Sequence, residues 1–149
     1  MRSYFQFDLS GLVGKNIESA QANFLDIYAP SCTPAMVDID ETAATNSGMN
    51  WNNQPRDIRN LAAPSVANGY SSSLCPQNTV GADATQPVID GLNNGTHLAT
   101  FLLEAGSESD QNSWKKFEPG KLDGIGPGFY AHGDQFDEIK RLMDRIRLW

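Results

Sequence analysis

The start of the chain carries the pattern that most limits its fold. In the run Arg-Ser-Tyr-Phe-Gln-Phe-Asp-Leu-Ser at residues 2–10, the apolar side chains Phe5, Phe7 and Leu9 occupy every second position. A period of two is typical of a β-strand that buries one face and exposes the other. Because only Met1 precedes this strand, the chain either opens with an inner strand of a sheet or is a piece of a larger module.

Short segments farther along predict an all-β fold. Asn, Ser, Gly and Thr are abundant, which favours short strands joined by loops. We expect the strand at residues 2–10 to pair with the next one in an antiparallel hairpin, because the connection at residues 11–16 is short and bounded by glycines. Residues 56–76 are predicted to be irregular. The further strand predictions cover residues 19–28, 36–40, 78–84 and 97–104, with an extended piece at 113–117.

Two segments predict helix. Residues 87–92 resemble a short helical turn, with Pro87 at an early helical position. Residues 134–149 repeat apolar side chains at spacings of three and four, which predicts an amphipathic C-terminal helix. Between this helix and a β domain at residues 1–118, the Gly/Pro-rich residues 119–133 are predicted to be a linker.

Charge and hydropathy exclude some classes of partner. The formal net charge of −7 repels nucleic acid phosphates and anionic membranes, so we expect neither as a partner. No apolar run approaches the length of about 18 residues that a membrane span needs. The start of the chain also lacks the basic and apolar regions of a signal peptide.

The two cysteines, Cys32 and Cys75, lie in turn-like sequences and not in a C-x-x-C pair. With only two histidines in the chain, a zinc site is not expected. A disulfide between the two cysteines would indicate an oxidising compartment. The alternative is a reactive thiol.

Several motifs together resemble the DNRLRE domain family. They are the run at residues 2–10, Ile-Glu-Ser-Ala-Gln-Ala at 17–22, Trp-Asn-Asn-Gln-Pro at 51–55, Gly-Tyr-Ser-Ser-Ser at 69–73, and Glu-Ser-Asp at 108–110 ahead of Trp-Lys-Lys-Phe at 114–117. The resemblance implies a jelly-roll-type antiparallel β-sandwich from a secreted bacterial, often actinobacterial, protein. Some family members are classed as carbohydrate-binding modules. The cysteine positions also resemble a disulfide-bearing subgroup.

The sequence departs from this family at both ends. Family domains usually carry further strands before the Arg-Ser-Tyr motif, so the resemblance implies a domain that lacks its first strands or a fragment of a multidomain protein. After residue 117 the family runs into a closing strand, whereas this sequence gives a linker and a helix. That helix could cover the exposed sheet edge or belong to a neighbouring region.

The resemblance points to a carbohydrate-binding or attachment module whose partner is a polysaccharide or a cell-surface glycan. Binding would need exposed aromatic side chains with amide groups beside them, and the candidates are Trp51, Asn52, Asn53, Gln54 and Tyr70. The alternative for Trp51 is an aromatic side chain packed against the sandwich, which would pin its loop. Trp114 is predicted to lie in the core with Phe117.

Acidic pairs are the remaining candidates for chemistry. Glu108 and Asp110 could hold a structural calcium ion, or they could accept hydrogen bonds from loop amides or pair with Lys115 or Lys116. Asp38 and Asp40 share a strand face and are candidates for the two carboxylates that a glycosidase needs. The alternative is that they are the solvent-facing residues of an ordinary half-buried strand. No nucleophile and histidine form a recognisable motif, so no catalytic residue is assigned and an enzyme is not expected. The alternative to glycan binding is a structural or adhesion spacer with protein partners.

Overall fold

A computed structural model describes residues 2–118, 121–123 and 146–148. Within these residues the chain forms ten strands, one α-helix and two short 3-10 turns at Ser10–Leu12 and Gln111–Ser113. All the strand pairings are antiparallel. The predicted all-β sandwich with a short helix is therefore confirmed.

The strands form two sheets. The larger sheet contains β1 (Arg2–Asp8), β3 (Ala35–Thr42), β4 (Asp57–Ala62), β5 (Ser65–Val66), β7 (Leu98–Ala105) and β10 (Ile146–Leu148). Its order is β10-β1-β7-β3-β4, and β5 also pairs with β3. The smaller sheet contains β2 (Gln21–Tyr28), β6 (Asn78–Asp83), β8 (Lys116–Phe117) and β9 (Lys121–Asp123). Its order is β6-β2-β8, and β9 also pairs with β2.

The core lies between the two sheets and follows the alternation of the sequence. Phe5 on β1 contacts Phe24 on β2, with ring centroids 4.9 Å apart. Phe101 on β7 contacts both Phe24 and Phe7 in edge-to-face geometry, at 6.0 and 5.6 Å. The two contacts to Phe24 join the two sheets, whereas the Phe7–Phe101 contact lies within the larger sheet, and all three add to the stabilisation from apolar burial.

One helix, α1 (Thr85–Asn93), lies between β6 and β7 and confirms the predicted helical turn. Val88 on this helix is 1% exposed and belongs to the core cluster. Two ion pairs also hold the helix against the larger sheet. Arg59 on β4 contacts Glu41 on β3 at 2.6 Å and Asp90 on α1 at 2.5 Å. Burial raises the pKa of Glu41, while the neighbouring Arg59 lowers it.

The predicted hairpin between the first two strands is wrong. β1 pairs with β7 and β10, whereas β2 belongs to the other sheet. The apolar faces of β1 and β2 meet across the core, so their shared pattern of alternation reflects packing and not pairing.

Other boundaries also differ from the sequence prediction. Residues 56–76 contain β4 and β5. The predicted linker contains β9, and the last residues of the predicted C-terminal helix form β10, which pairs with β1. The remainder of that linker and helix, residues 119–120, 124–145 and 149, lies outside the described residues.

Candidate functional site

The disulfide is the first predicted feature that the structure confirms. Cys32 and Cys75 are bonded, with their Cα atoms 5.9 Å apart, so the reactive-thiol alternative is wrong. The bond ties the segment after β2 to the disulfide loop, residues 67–76. Gly69 fixes this loop against β2, because its φ is +83° and a Cβ there would lie 2.2 Å from the backbone carbon of Ile27. A disulfide is compatible with an extracellular protein.

Trp51 lies at the tip of a tight turn, which we call the Trp51 turn (residues 50–53). Asn50 and Asn53 form an isolated antiparallel bridge, so Trp51 and Asn52 are the two central residues of the turn. The Asn50 Oδ1 atom accepts a hydrogen bond from the Asn52 amide at 2.9 Å. Such side-chain-to-backbone bonds favour turns, which explains why asparagines surround the tryptophan.

Gln54 attaches the Trp51 turn to the larger sheet. Its Nε2 atom donates to the Trp51 carbonyl at 2.9 Å. Its Oε1 atom accepts from an Arg2 guanidinium nitrogen at 2.6 Å and from the Tyr4 hydroxyl at 3.0 Å. Burial raises the pKa of Tyr4, so its phenol keeps the proton that it donates. One glutamine side chain therefore fixes the turn to two residues of β1.

A second contact fixes the loop before the turn. Gln6 on β1 is 5% exposed. Its Oε1 atom accepts hydrogen bonds from the Thr45 amide at 2.8 Å, the Thr45 hydroxyl at 3.1 Å and the Thr100 hydroxyl at 3.0 Å. The outer face of β1 is thus covered by the loop that carries Trp51, which explains why Gln6 and Tyr4 are buried although they point away from the core.

Trp51 and its neighbours form a shallow depression of about 200 Å³ on this outer face. Trp51 is 65% exposed. The Arg2 guanidinium lies over its ring at 5.1 Å from the centroid, a cation–π contact that orients the indole. The depression is lined by Arg2, Tyr4, Met49, Asn50, Trp51 and Gln54. An exposed indole beside amide and guanidinium donors can stack on the apolar face of a ligand and hydrogen-bond its polar edge.

Carboxylates surround the single guanidinium of this depression. Arg2 contacts Glu104 at 2.9 Å and Glu108 at 3.2 Å. Burial raises the pKa of Glu104 and Arg2 lowers it, while Asp40, Asp57 and Glu108 raise it. Arg2 therefore lies in an acidic environment that does not favour an anionic ligand.

The aromatic candidates differ in their exposure and in whether they line the depression. The packed alternative for Trp51 is wrong, because its indole is exposed. Tyr70 is also exposed, at 53%, but it belongs to the disulfide loop and does not line the depression. Asn52 and Asn53 are exposed on the Trp51 turn. The prediction that Trp114 lies in the core is also wrong, since it is 59% exposed.

The position of Trp114 follows from its register. Ser113 and Lys115 are buried and Phe117 packs against the core, so alternation directs Trp114 outward between them. Asp26 follows the same rule on β2, two residues after the buried Phe24, and it is 0% exposed. The period of two predicts the inward position of Asp26, although a carboxylate there is unexpected.

The candidate calcium residues have other contacts. Glu108 pairs with Arg2, and the Asp110 side chain accepts the Asn112 amide at 2.9 Å, which caps the 3-10 turn. Among the described residues, no three His, Cys, Asp or Glu side chains lie close enough to hold a metal ion. Lys115 is buried, and the carboxylate that raises its pKa most is Asp26, which is not among the predicted partners. Asp110, a predicted partner, has a smaller effect on that pKa.

The paired aspartates lie on the outer face of β3. Asp40 accepts a hydrogen bond from Asn60 Nδ2 at 2.8 Å. Burial raises the pKa of Asp40, and the charges of Asp38 and Asp57 raise it further. Neither Asp38 nor Asp40 lines the depression at Trp51.

Sequence reasoning did not identify Arg2, Tyr4 and Asn50 as parts of the site. Arg2 and Tyr4 are separated from Gln54 by about 50 positions, so no local motif joins them. Their alternation with Phe5 and Phe7 does predict that they point away from the core. The remaining residues of the depression come from the loop that carries Trp51, and its sequence shows no alternation of apolar residues from which its position could be predicted.

In the part of the chain that the structure describes, no helix is long and apolar enough to cross a membrane.

Comparison with known proteins does not assign the chain to a family. No protein-family model matches the sequence, and no curated protein matches it.

Proposed function

We propose that this chain is a non-catalytic carbohydrate-binding module of the DNRLRE type, belonging to a larger secreted bacterial protein. The observation that carries this proposal is the exposed Trp51 in a depression with Arg2, Asn50 and Gln54. A sugar ring presents an apolar C–H face and polar hydroxyl edges. The indole provides a stacking surface for the first, and the amide and guanidinium groups provide hydrogen bonds for the second.

The rigidity of the site supports binding without a large ordering cost. The Trp51 turn is fixed by its internal bridge, by Gln54 and by the loop contact to Gln6. A preorganised surface loses little conformational entropy when a ligand binds. The acidic surroundings of Arg2 favour a neutral glycan over a uronic-acid polymer.

A second candidate function is a structural or adhesion spacer with protein partners. Its supporting observation is a set of exposed apolar side chains outside the depression. Leu74 in the disulfide loop is 78% exposed, and Tyr28 and Trp114 are 47% and 59% exposed. Large apolar side chains exposed in this way are a common feature of protein interfaces.

A pull-down on insoluble and soluble polysaccharides, with calcium and with chelator, separates the two candidates. We expect the wild-type chain to bind at least one neutral polysaccharide, and Trp51→Ala to abolish the binding. Tyr70→Ala is the matched control, because Tyr70 is an exposed aromatic residue outside the depression. Chelator should leave binding unchanged. No binding by a chain that melts cooperatively would favour the spacer.

A further inference from the structure

Two ionisable side chains are buried at one end of the sandwich. Asp26 is 0% exposed and Lys115 is 7% exposed. Neither Asp26 carboxylate oxygen makes a hydrogen bond of regular geometry within the described chain, and the same holds for Lys115 Nζ. Burial of charged groups without good hydrogen bonds is costly, so this pair requires a structural or chemical explanation.

The register of the smaller sheet directs the two side chains toward each other. Asp26 on β2 lies opposite Phe117 on β8. Lys115 is buried and precedes the partly buried Phe117 by two residues, whereas Trp114 and Lys116 are exposed. Asp26 and Lys115 therefore lie near each other on one face, next to a register shift between Asp26 and Tyr28. In a regular ladder, diagonal neighbours of this kind are about 7–8 Å apart. The four-carbon side chain of lysine can cover that distance.

Burial shifts the titration of both groups toward their neutral forms. Burial raises the pKa of Asp26 to about 6, while Lys115, the Tyr28 amide and the Asn68 side chain lower it. Burial likewise lowers the pKa of Lys115, while Asp26 and Asp110 raise it. A carboxylic acid and a free amine are the protonation states that react to form an amide.

We propose that Lys115 and Asp26 condense to form an intramolecular amide bond between Nζ and Cγ. The amine lone pair attacks Cγ, a C–N bond forms and one C–O bond breaks. The departing oxygen leaves as water, with its protons supplied by the amine and the carboxyl group, so no oxidant or cofactor is needed. The Tyr28 N–H and the Asn68 side chain lie near enough to the carboxyl group to lower its pKa, and they would donate to the oxyanion that forms during attack.

The fold favours this reaction in two ways. Burial on one face of the smaller sheet limits the motion of the two side chains, and groups that approach to about 3–3.5 Å in the right orientation correspond to effective concentrations on the order of 10⁵–10⁸ M. The buried position also excludes bulk water, which opposes hydrolysis of the product. The bond would link β2 to the segment before β8 and would replace two buried ionisable groups by one neutral amide.

Intact mass spectrometry of the purified, folded chain tests the proposal. We expect a mass lower by one water molecule than the sequence mass, after the two hydrogens lost in the disulfide are counted. After reduction and proteolysis, the peptide containing Asp26 should be joined to the peptide containing Lys115. A full sequence mass in the cooperatively folded protein would overturn the proposal. So would a water loss found in peptides that are not joined, because an aspartyl residue can also lose water by cyclising within its own chain.

Two lysine variants provide the matched comparison. Lys115→Arg keeps the charge but should restore the full mass, because a guanidinium does not form this bond. Lys116→Arg changes the adjacent, exposed lysine and should keep the loss of one water. A joined peptide that persists in Lys115→Arg would contradict the assignment of the bond.

Discussion

Lys115→Met removes the positive charge nearest the buried Asp26 carboxyl group. In this variant we expect the unfolding free energy to depend on the protonation of Asp26, and so on pH. Methionine has a similar length and no charge, so the apolar packing of the side chain is largely kept. In this variant no bond to Lys115 can form, and the Asp26 carboxyl titrates. Removal of the lysine charge also removes an effect that lowers the Asp26 pKa, which burial has already raised to about 6. The pKa in the variant is therefore at least as high.

The direction of the pH dependence follows from the raised pKa. An unfolded aspartate titrates near 3.8 and the folded one near 6 or above, so the folded state holds its proton more tightly. The stability that this proton contributes is fully present below about pH 4 and is lost as pH rises through the folded pKa. A shift of about two units at about 1.4 kcal/mol each corresponds to about 3 kcal/mol. Because Asp26 is 0% exposed, solvent screening does not reduce this figure much.

Urea unfolding of Lys115→Met between about pH 4 and pH 8 measures this loss. Other carboxyls titrate in the same window, so the control is Asp26→Asn in the Lys115→Met background. The difference in unfolding free energy between the two variants should change by about 3 kcal/mol or more across the window. A difference that stays constant, or that favours the aspartate as pH rises, would refute the reasoning.

The remaining predictions concern the elements that position the site. Reduction of Cys32–Cys75, separated by 43 positions, should lower the unfolding free energy by about 4 kcal/mol in urea melts, and an unchanged midpoint would contradict it. Gly69→Ala should cost about 3 kcal/mol or more, whereas Gly95→Ala, with a φ of +76° but nothing within 4 Å, should cost only about 1 kcal/mol; equal losses in thermal melts would disprove the clash. Gln6→Met should cost about 1–3 kcal/mol, because it leaves three donors unpaired, and should increase hydrogen exchange at the Thr45 amide; unchanged exchange there would show that the loop is held otherwise.

Local periodicity predicted the strands well where one face is buried. Phe5 and Phe7 on β1 and Phe24 on β2 gave clear alternation, and the structure confirms those strands. The sequence does not predict β4, because none of its residues is fully buried and DIRNLA shows no consistent apolar face. The pairing of β1 with β7 joins segments about 95 positions apart. Turn residues predict pairing only between strands that are close in sequence, so they do not predict this one.

The site was predictable only in part for the same reason. The sequence names residues 51–54 as binding candidates, because an aromatic side chain beside amide groups suits sugar binding, but it does not predict the turn that exposes Trp51. Its partners on β1 depend on a loop folding over the outer face of the larger sheet. The core position predicted for Trp114 is wrong because Trp114 and Phe117 are three residues apart, and alternation places residues at odd spacing on opposite faces of a strand.

The most direct test of glycan binding is a set of binding isotherms on the polysaccharide retained most strongly in the pull-down. Wild type, Trp51→Ala and Trp114→Ala should be compared, because both tryptophans are more than half exposed, at 65% and 59%. We expect Trp51→Ala to weaken binding at least tenfold, about 1.4 kcal/mol, while Trp114→Ala stays within about twofold of wild type. Equal affinity of Trp51→Ala and wild type, or no polysaccharide bound by the folded wild-type chain, would contradict a carbohydrate site at the Trp51 turn.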